Sequence, residues 1–317
     1  MCQKSSENHQ KFQLNKEAKK FLDVLICEGG KSRCDETSEV FRSGMKIPEF
    51  YDKEKFKRGQ QFFHRNIFAM LFGKFLGLIS DLTLISSQKI LEHTNQSNEP
   101  KTAFKRYVST IFSMYTWYTY DLIPGSKSWE SLKRIRTIHN FASLKCHKNQ
   151  IGEIAQYHMA LAQFGFMGLI VSKSEKIGIF PNQEEMDGFI HFWRVIGHML
   201  GIEEKYNICR ETFKETKEIC DEIIAEIISP ALNEWDESFL KMTRALIEGM
   251  WSMMPVLQFK VFLNLLYLLI NNNNQDKDVE ILQMNYFEKC LLKFLQTFIF
   301  LLKFELLRKF MRNFILL

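Results

Sequence analysis

The chain of 317 residues has few of the residues that make turns, with only 15 glycines and 6 prolines. A β fold with many tight turns needs more of both, so this scarcity disfavours one. Leu, Ile, Phe and Lys are frequent instead, and the apolar positions recur at helical rather than alternating spacing. The sequence therefore predicts an all-α protein.

The chain also lacks the short motifs of several enzyme classes. It contains no GxSxG, no HExxH and no histidine preceded by a glutamate at the third position, so serine hydrolases, zinc proteases and ferritin-like di-metal enzymes have no local signature here. The seven cysteines form no CxxC pair and no zinc spacing. Their odd number and scattered positions indicate reduced thiols and an intracellular protein. Residues 1–20 contain no apolar segment, so no secretory signal peptide is expected.

No stretch of about twenty residues is both apolar and nearly uncharged, as a spanning helix requires. Residues 251–270 contain Pro255, Gln258 and Lys260, and residues 286–317 mix Phe and Leu with Lys and Arg. Two interpretations remain open for this tail: basic amphipathic helices in a membrane interface, or ordinary core helices. Elsewhere the net charge of +5 is spread along the chain, so no nucleic-acid surface is expected.

These patterns divide the chain into three parts. Residues 1–45 are polar and predict an N-terminal arm, and residues 46–250 carry the helical patterns of the main domain. Residues 251–317 form a C-terminal segment of apolar and basic helices, interrupted by a linker-like NNNNQDKD at 271–278.

The most informative helix is predicted at residues 128–141, with Ser128 as its N-cap. Trp129, Leu132 and Ile135 recur at helical spacing, and His139 lies on the same face. An inward imidazole with Arg136 one turn before it suits a ligand for an iron that carries an anionic macrocycle. It equally suits a hydrogen-bonded core histidine. The competing histidines on apolar helices are His198, His158 and His64.

Three segments, in order and spacing, resemble a known family. They are an Arg-x-x-x-Thr helix from Arg106 to Thr110, the sequence RIRTIH that ends at His139, and HFWRVIGHMLGI at 191–202. Together they resemble the catalytic domain shared by latex-clearing rubber oxygenases and the endoplasmic-reticulum-bound oxygenase MpaB, over roughly residues 55–250. The tail after residue 250 is similar to that of animal members of the family.

The resemblance implies a globin-like helical core around a haem b pocket, with additional apolar helices at the C-terminus. It implies that His139 is the axial ligand of the haem iron and that Arg106 and Thr110 are the distal arginine and threonine. Arg136 would pair with a haem propionate, and Arg194 is either a second such residue or part of a structural ion pair. Two departures stand out: Ser109 occupies the position of a lysine in the rubber enzymes, and Glu92 only loosely matches their distal glutamate.

The resulting expectation is a haem-dependent oxygenase or oxidoreductase acting with dioxygen on a small hydrophobic molecule, isoprenoid- or lipid-like. It would be intracellular, with the endoplasmic reticulum membrane as its candidate location. Two alternatives stay open: a non-catalytic haem-binding protein, and a membrane-associated helical scaffold without haem.

Overall fold

Helices make up nearly all of the regular structure in the computed structural model, which describes residues 16–35, 44–94, 97–271 and 282–315. Within these ranges there is no strand, only one isolated bridge between Arg33 and Ala155, so the predicted all-α class is confirmed. In chain order the helices are α1 (16–24), α2 (Lys53–Arg65), α3 (Ile67–Asp81), α4 (Ile85–Thr94), α5 (Pro100–Thr119), α6 (Lys127–Lys148), α7 (Gln156–Lys173), α8 (Gln183–Leu200), α9 (Phe213–Ile223), α10 (Glu237–Met250), α11 (Phe259–Ile270), α12 (Tyr286–Leu301) and α13 (Glu305–Ile315). Short π-helical turns follow α1 at Leu25–Gly29 and α9 at Ile224–Ile228, and a short helix follows at Ser229–Asn233.

Two pairs of helices form the centre of the molecule, and glycines let them approach closely. Helix α2 packs along α8, where a methyl group on Gly59 would lie 2.5 Å from the carbonyl oxygen of Gly188. Helix α3 packs along α7, where a methyl group on Gly77 would lie 2.0 Å from the carbonyl oxygen of Gly165. These positions require glycine, because backbone of one helix fills the space that a side chain on the other would need.

Helix α5 packs on α6 and α10, and it also contacts α2 of the central pairs. The N-cap of α6 is Ser126, whose Oγ accepts a hydrogen bond from the Trp129 amide at 3.1 Å. The predicted N-cap, Ser128, lies inside the helix instead. Its hydroxyl is used across the helix pair, donating to the carbonyls of Thr116 and Tyr120 at 3.0 and 2.8 Å, so tertiary contacts decided its role.

The segment expected to be an N-terminal arm contains α1 and its π-helical turn, with Leu22 and Leu25 buried. Residues 1–15, 36–43 and most of the predicted linker lie outside the described residues. Helix α11 packs with α10, α3 and α12, and Phe262 and Leu266 on it are buried. The division of the chain at residue 250 stays a prediction.

Among the described residues no single helix is both long and apolar enough to cross a membrane. Helices α2 and α3 reach that length and composition only as a pair, across a bend of 94°. All cysteines in the described part of the chain are free thiols (Cys27, Cys34, Cys146, Cys209, Cys220 and Cys290).

Candidate active site

Four helices bring partly buried ionisable side chains near one another. Asp81 ends α3, Arg106 lies on α5, His139 on α6 and Tyr157 on α7. The charge of the Arg106 guanidinium lowers the pKa of Asp81 and that of His139, and the charge of Asp81 raises the pKa of Tyr157. Arg106 and His139, which the sequence singled out, thus face each other across the α5–α6 contact.

His139 is the most unusual group of this cluster. Its Nδ1 is buried and has no hydrogen-bond partner among the residues that the structure describes, although buried polar atoms are almost always bonded. Burial, and after it the nearby Arg106 guanidinium, lower the pKa of His139 to about 4. The imidazole is therefore neutral near pH 7, which is the form that binds a metal.

The competing histidines have partners of their own. His64 Nε2 lies 3.0 Å from the carbonyl oxygen of Tyr118, and His158 Nδ1 accepts a hydrogen bond from the Ala155 amide at 3.1 Å. His198 packs edge-on against the Phe50 ring at 5.8 Å and is near the charges of Glu204 and Arg136. Of the four candidate histidines, it is His139 that has a buried ring nitrogen without a partner.

Arg106 and Thr110 lie one turn apart on α5. Arg106 Nη1 donates to Ser97 Oγ at 2.7 Å, and this bond fixes the guanidinium near Asp81 and His139. The Thr110 hydroxyl donates to the Arg106 carbonyl at 3.1 Å, along its own helix. Its oxygen lone pairs remain able to accept from another group.

Asp81 is the residue that the sequence analysis missed. Burial raises the pKa of its carboxyl to about 6, against the opposing attraction of the Arg106 guanidinium. The Ser87 hydroxyl lies 3.5 Å from Asp81 Oδ1, at the limit of a hydrogen bond. Burial, and then the Asp81 charge, raise the pKa of Tyr157. A signal was available: Asp81 is the one acidic residue of the apolar helix α3.

The other two predicted arginines lie away from this cluster. The Arg136 guanidinium is buried and Nη1 donates to the Met199 carbonyl in the last turn of α8 at 3.3 Å. Burial also lowers the pKa of Arg136. Arg194 binds Glu204 through Nε at 2.8 Å and Nη2 at 2.6 Å, and its guanidinium lies 4.3 Å above the Phe50 ring. In this structure Arg194 therefore forms an ion pair, which is one of the two roles that the sequence analysis left open for it.

A groove of about 470 Å³ opens between α5 and α6, but it is a separate feature. Its lining is mostly polar and does not include Arg106, Thr110 or His139; the lining residues are Ser109, Phe112, Ser113, Thr116, Lys127, Glu130, Ser131 and Arg134.

Comparison of the sequence with known protein families assigns the chain to one of them. Residues 62–288 match the family described as ER-bound oxygenase mpaB/B'/Rubber oxygenase, catalytic domain. The chain belongs to this family. The match begins inside α2 and extends past residue 250 through α11, so the catalytic domain of the rubber oxygenase/MpaB family accounts for the helices that carry Asp81, Arg106 and His139.

A solved structure supports the same fold for this member of the rubber oxygenase/MpaB family. It is the structure of Latex Clearing Protein LCP in the closed state, with a TM-score of 0.61 at 15% sequence identity. The alignment covers 90% of this chain and 80% of that one. No curated protein matches the sequence.

The residues present fit a haem better than a bare metal ion. Within the described ranges no three His, Cys, Asp or Glu side chains gather as they do around a protein-ligated ion. A haem iron takes its in-plane ligands from the macrocycle and asks the protein for an axial imidazole. The Nδ1 atom of His139 makes no hydrogen bond to a described residue. This imidazole is therefore able to serve as such a ligand.

Proposed function

We propose that this chain is a haem b-dependent oxygenase or oxidoreductase that acts on a small hydrophobic, isoprenoid- or lipid-like molecule with dioxygen. Membership of the rubber oxygenase/MpaB family supports the reaction class. The observation that carries the haem is the buried, unpartnered and neutral imidazole of His139 beside the Arg106 guanidinium. Exposed apolar side chains on α5 and α6 support the hydrophobic substrate class, since Phe112, Ile138 and Phe141 are at least half exposed.

In this proposal His139 would hold the haem through its iron. A bound haem would supply dioxygen binding and activation. The protein keeps the imidazole neutral by burying it, because a protonated ring nitrogen cannot bind a metal. Replacing the ring would remove the protein's bond to the cofactor while leaving the helices in place.

Arg106 and Thr110 would orient oxygen atoms of the reactants. The guanidinium is fixed by Ser97, so its remaining N–H groups are pre-positioned donors in a site shielded from water. Thr110 adds a hydroxyl one turn along the same face of α5. Such donors act on bound oxygen and substrate rather than on the bond between iron and imidazole, so their loss should affect turnover more than haem retention.

Arg136 is the first candidate to pair with a haem propionate, since it lies on α6 one turn before His139. Arg194 is the second candidate, although it would have to release Glu204. Localisation at the endoplasmic reticulum is proposed from the family description alone.

The test is the visible spectrum of the purified full chain expressed with haem supplementation. Wild type should show a Soret band, and His139→Ala should lose it while retaining its helical circular dichroism. His64→Ala, with a similarly placed but hydrogen-bonded imidazole, is the matched control and should keep the band. Loss of the band in His64→Ala but not in His139→Ala would reject the assigned ligand.

A second measurement separates catalysis from haem carriage. Arg106→Gln should keep the Soret band but reduce oxygen consumption with a long-chain isoprenoid substrate by ten-fold or more, in the range seen when one pre-organised donor is removed. A wild-type protein that binds haem and consumes no oxygen with any hydrophobic substrate would support the non-catalytic alternative.

A further inference from the structure

The last two described helices carry a row of large apolar side chains on their outer surface. On α13, Leu306, Phe310 and Phe314 follow one another at intervals of four residues and are 82%, 65% and 68% exposed. On α12 and the turn after it, further aromatic side chains are exposed; they are Tyr286, Phe287, Phe294, Phe300 and Phe304. An accumulation of large exposed apolar side chains on two successive helices marks an interaction site.

The same helices are held to the body of the protein by their other faces. On α12 the buried side chains are Leu292, Leu295 and Ile299, and α12 packs on α11. Helix α13 packs on α3 and α2, and Arg308 Nη1 donates to the Leu302 carbonyl at the end of α12 at 2.7 Å. The exposed apolar side chains therefore face away from the core, because the opposite faces of both helices pack on the body of the protein.

Positive charge is interleaved with this apolar row. The stretch 286–315 contains six basic and two acidic residues, whereas the whole chain has a net charge of only +5. Lys293, Lys303 and Lys309 are exposed, and Lys303 Nζ lies 3.7 Å from the centre of the Phe300 ring. Lysine stems of this length lie along apolar surface while their ammonium groups reach outward.

We propose that α12 and α13 dock this protein on the surface of an anionic lipid bilayer, lying along the interface with their Phe and Leu side chains inserted. Exposed aromatic and aliphatic rows beside lysine and arginine are the pattern of interfacial helices. Lysine is depleted from protein–protein interfaces, so a protein partner or a second copy fits this surface less well. The inference does not rest on haem binding or on catalysis.

The experiment is flotation of the full chain with vesicles of phosphatidylcholine containing 30% phosphatidylserine, against vesicles of phosphatidylcholine alone. Binding should be stronger to the anionic vesicles and should fall when NaCl is raised from 50 to 500 mM, because salt screens the attraction of lysine for the lipid surface.

Two sets of variants separate the apolar and the electrostatic parts. The triple variant Leu306→Ser, Phe310→Ser, Phe314→Ser should weaken binding to anionic vesicles more than tenfold. The triple variant Lys293→Gln, Lys303→Gln, Lys309→Gln should weaken it by roughly fivefold per lysine that faces the lipid and should reduce its salt dependence. The matched control changes exposed apolar residues elsewhere, Ile26→Ser with Ile123→Ser, and should bind like wild type.

Three outcomes would overturn the proposal. One is a wild-type chain that does not float with anionic vesicles. Another is a control variant that loses binding as much as the α13 variant. The third is a dimer, seen by light scattering in the absence of lipid, that Phe310→Ser dissociates while vesicle binding is absent, which would assign the surface to a second copy.

Discussion

Two buried polar regions of this protein treat their ionisable groups in opposite ways. Around Lys74, on α3, every polar atom of the central side chains is bonded. Around His139, a ring nitrogen is left without a partner and a carboxyl is buried without a close hydrogen-bond donor. The hydrogen bonds of the Lys74 region stabilise the fold, whereas the His139 region leaves a buried polar atom without that stabilisation.

The Lys74 region is an aromatic enclosure. Lys74 Nζ donates to the Phe166 carbonyl at 2.6 Å and to the Tyr118 hydroxyl at 3.3 Å, and it lies 4.5 Å from the centre of the Trp193 ring. Trp193 Nε1 donates to the same hydroxyl at 2.8 Å. Burial lowers the pKa of Lys74 well below its usual value. A satisfied network of this kind fixes a unique packing.

The region around Asp81, Arg106 and His139 lacks such completeness. Burial holds the pKa of Asp81 at about 6 and that of His139 at about 4, so at neutral pH the carboxyl is ionised and the imidazole is neutral. Unsatisfied buried groups in a native protein indicate a function that needs them. The location of this region in the family's catalytic domain agrees with that interpretation.

The largest expected effect comes from emptying the aromatic enclosure. Trp193→Ala removes a fully buried ring and one of the two donors to the Tyr118 hydroxyl, so the free energy of unfolding should fall by about 4 kcal/mol. The control is Trp251→Ala, since Trp251 is half exposed, and it should change stability by less than about 0.5 kcal/mol. Urea unfolding of both variants measures this, and equal losses would mean that the enclosure is not the stabilising core.

A smaller effect with a defined pH dependence should come from Asp81→Asn. The native carboxyl has a raised pKa, so its contribution to stability is complete below the unfolded value of 3.8 and is lost as pH rises through about 6. The variant should therefore equal wild type near pH 4 and be more stable at pH 8, by roughly 3 kcal/mol at most. Thermal unfolding of the haem-free protein across this range measures the difference. A trend of opposite sign in Asp81→Asn would show that the Arg106 attraction dominates.

The smallest effect distinguishes two histidines that look alike in the sequence. His139→Leu removes a buried nitrogen that has no partner, so the haem-free protein should keep its stability or gain up to about 1 kcal/mol. His64→Leu removes a bond to the Tyr118 carbonyl at 3.0 Å and should lose about 1 kcal/mol. Chemical denaturation of both variants provides the comparison. If His139→Leu were the more destabilised of the two, its imidazole would have a structural role.

Sequence alone predicted the helices of this region and two of its members, but it did not predict Asp81. The family motif marks positions on α5 and α6, and Arg106 and His139 are found there. Asp81 follows an apolar run at the end of α3, and its pKa is raised because the packed fold buries the carboxyl. Nothing in the neighbouring residues of the chain shows that closure.

The amino-acid sequence by itself determined the all-α class and the mixture of Phe and Lys in the tail, because helical periodicity and side-chain polarity are local properties. Tertiary structure decided which helices meet at their glycines and which polar groups have partners. His64 and His139 both lie on helices with apolar neighbours, yet the partner of His64 is a carbonyl of α5, while the Nδ1 of His139 has no hydrogen-bond partner among the described residues. Hydrogen-bond partners come from helices distant in the chain, and their positions exist only once the helices have packed.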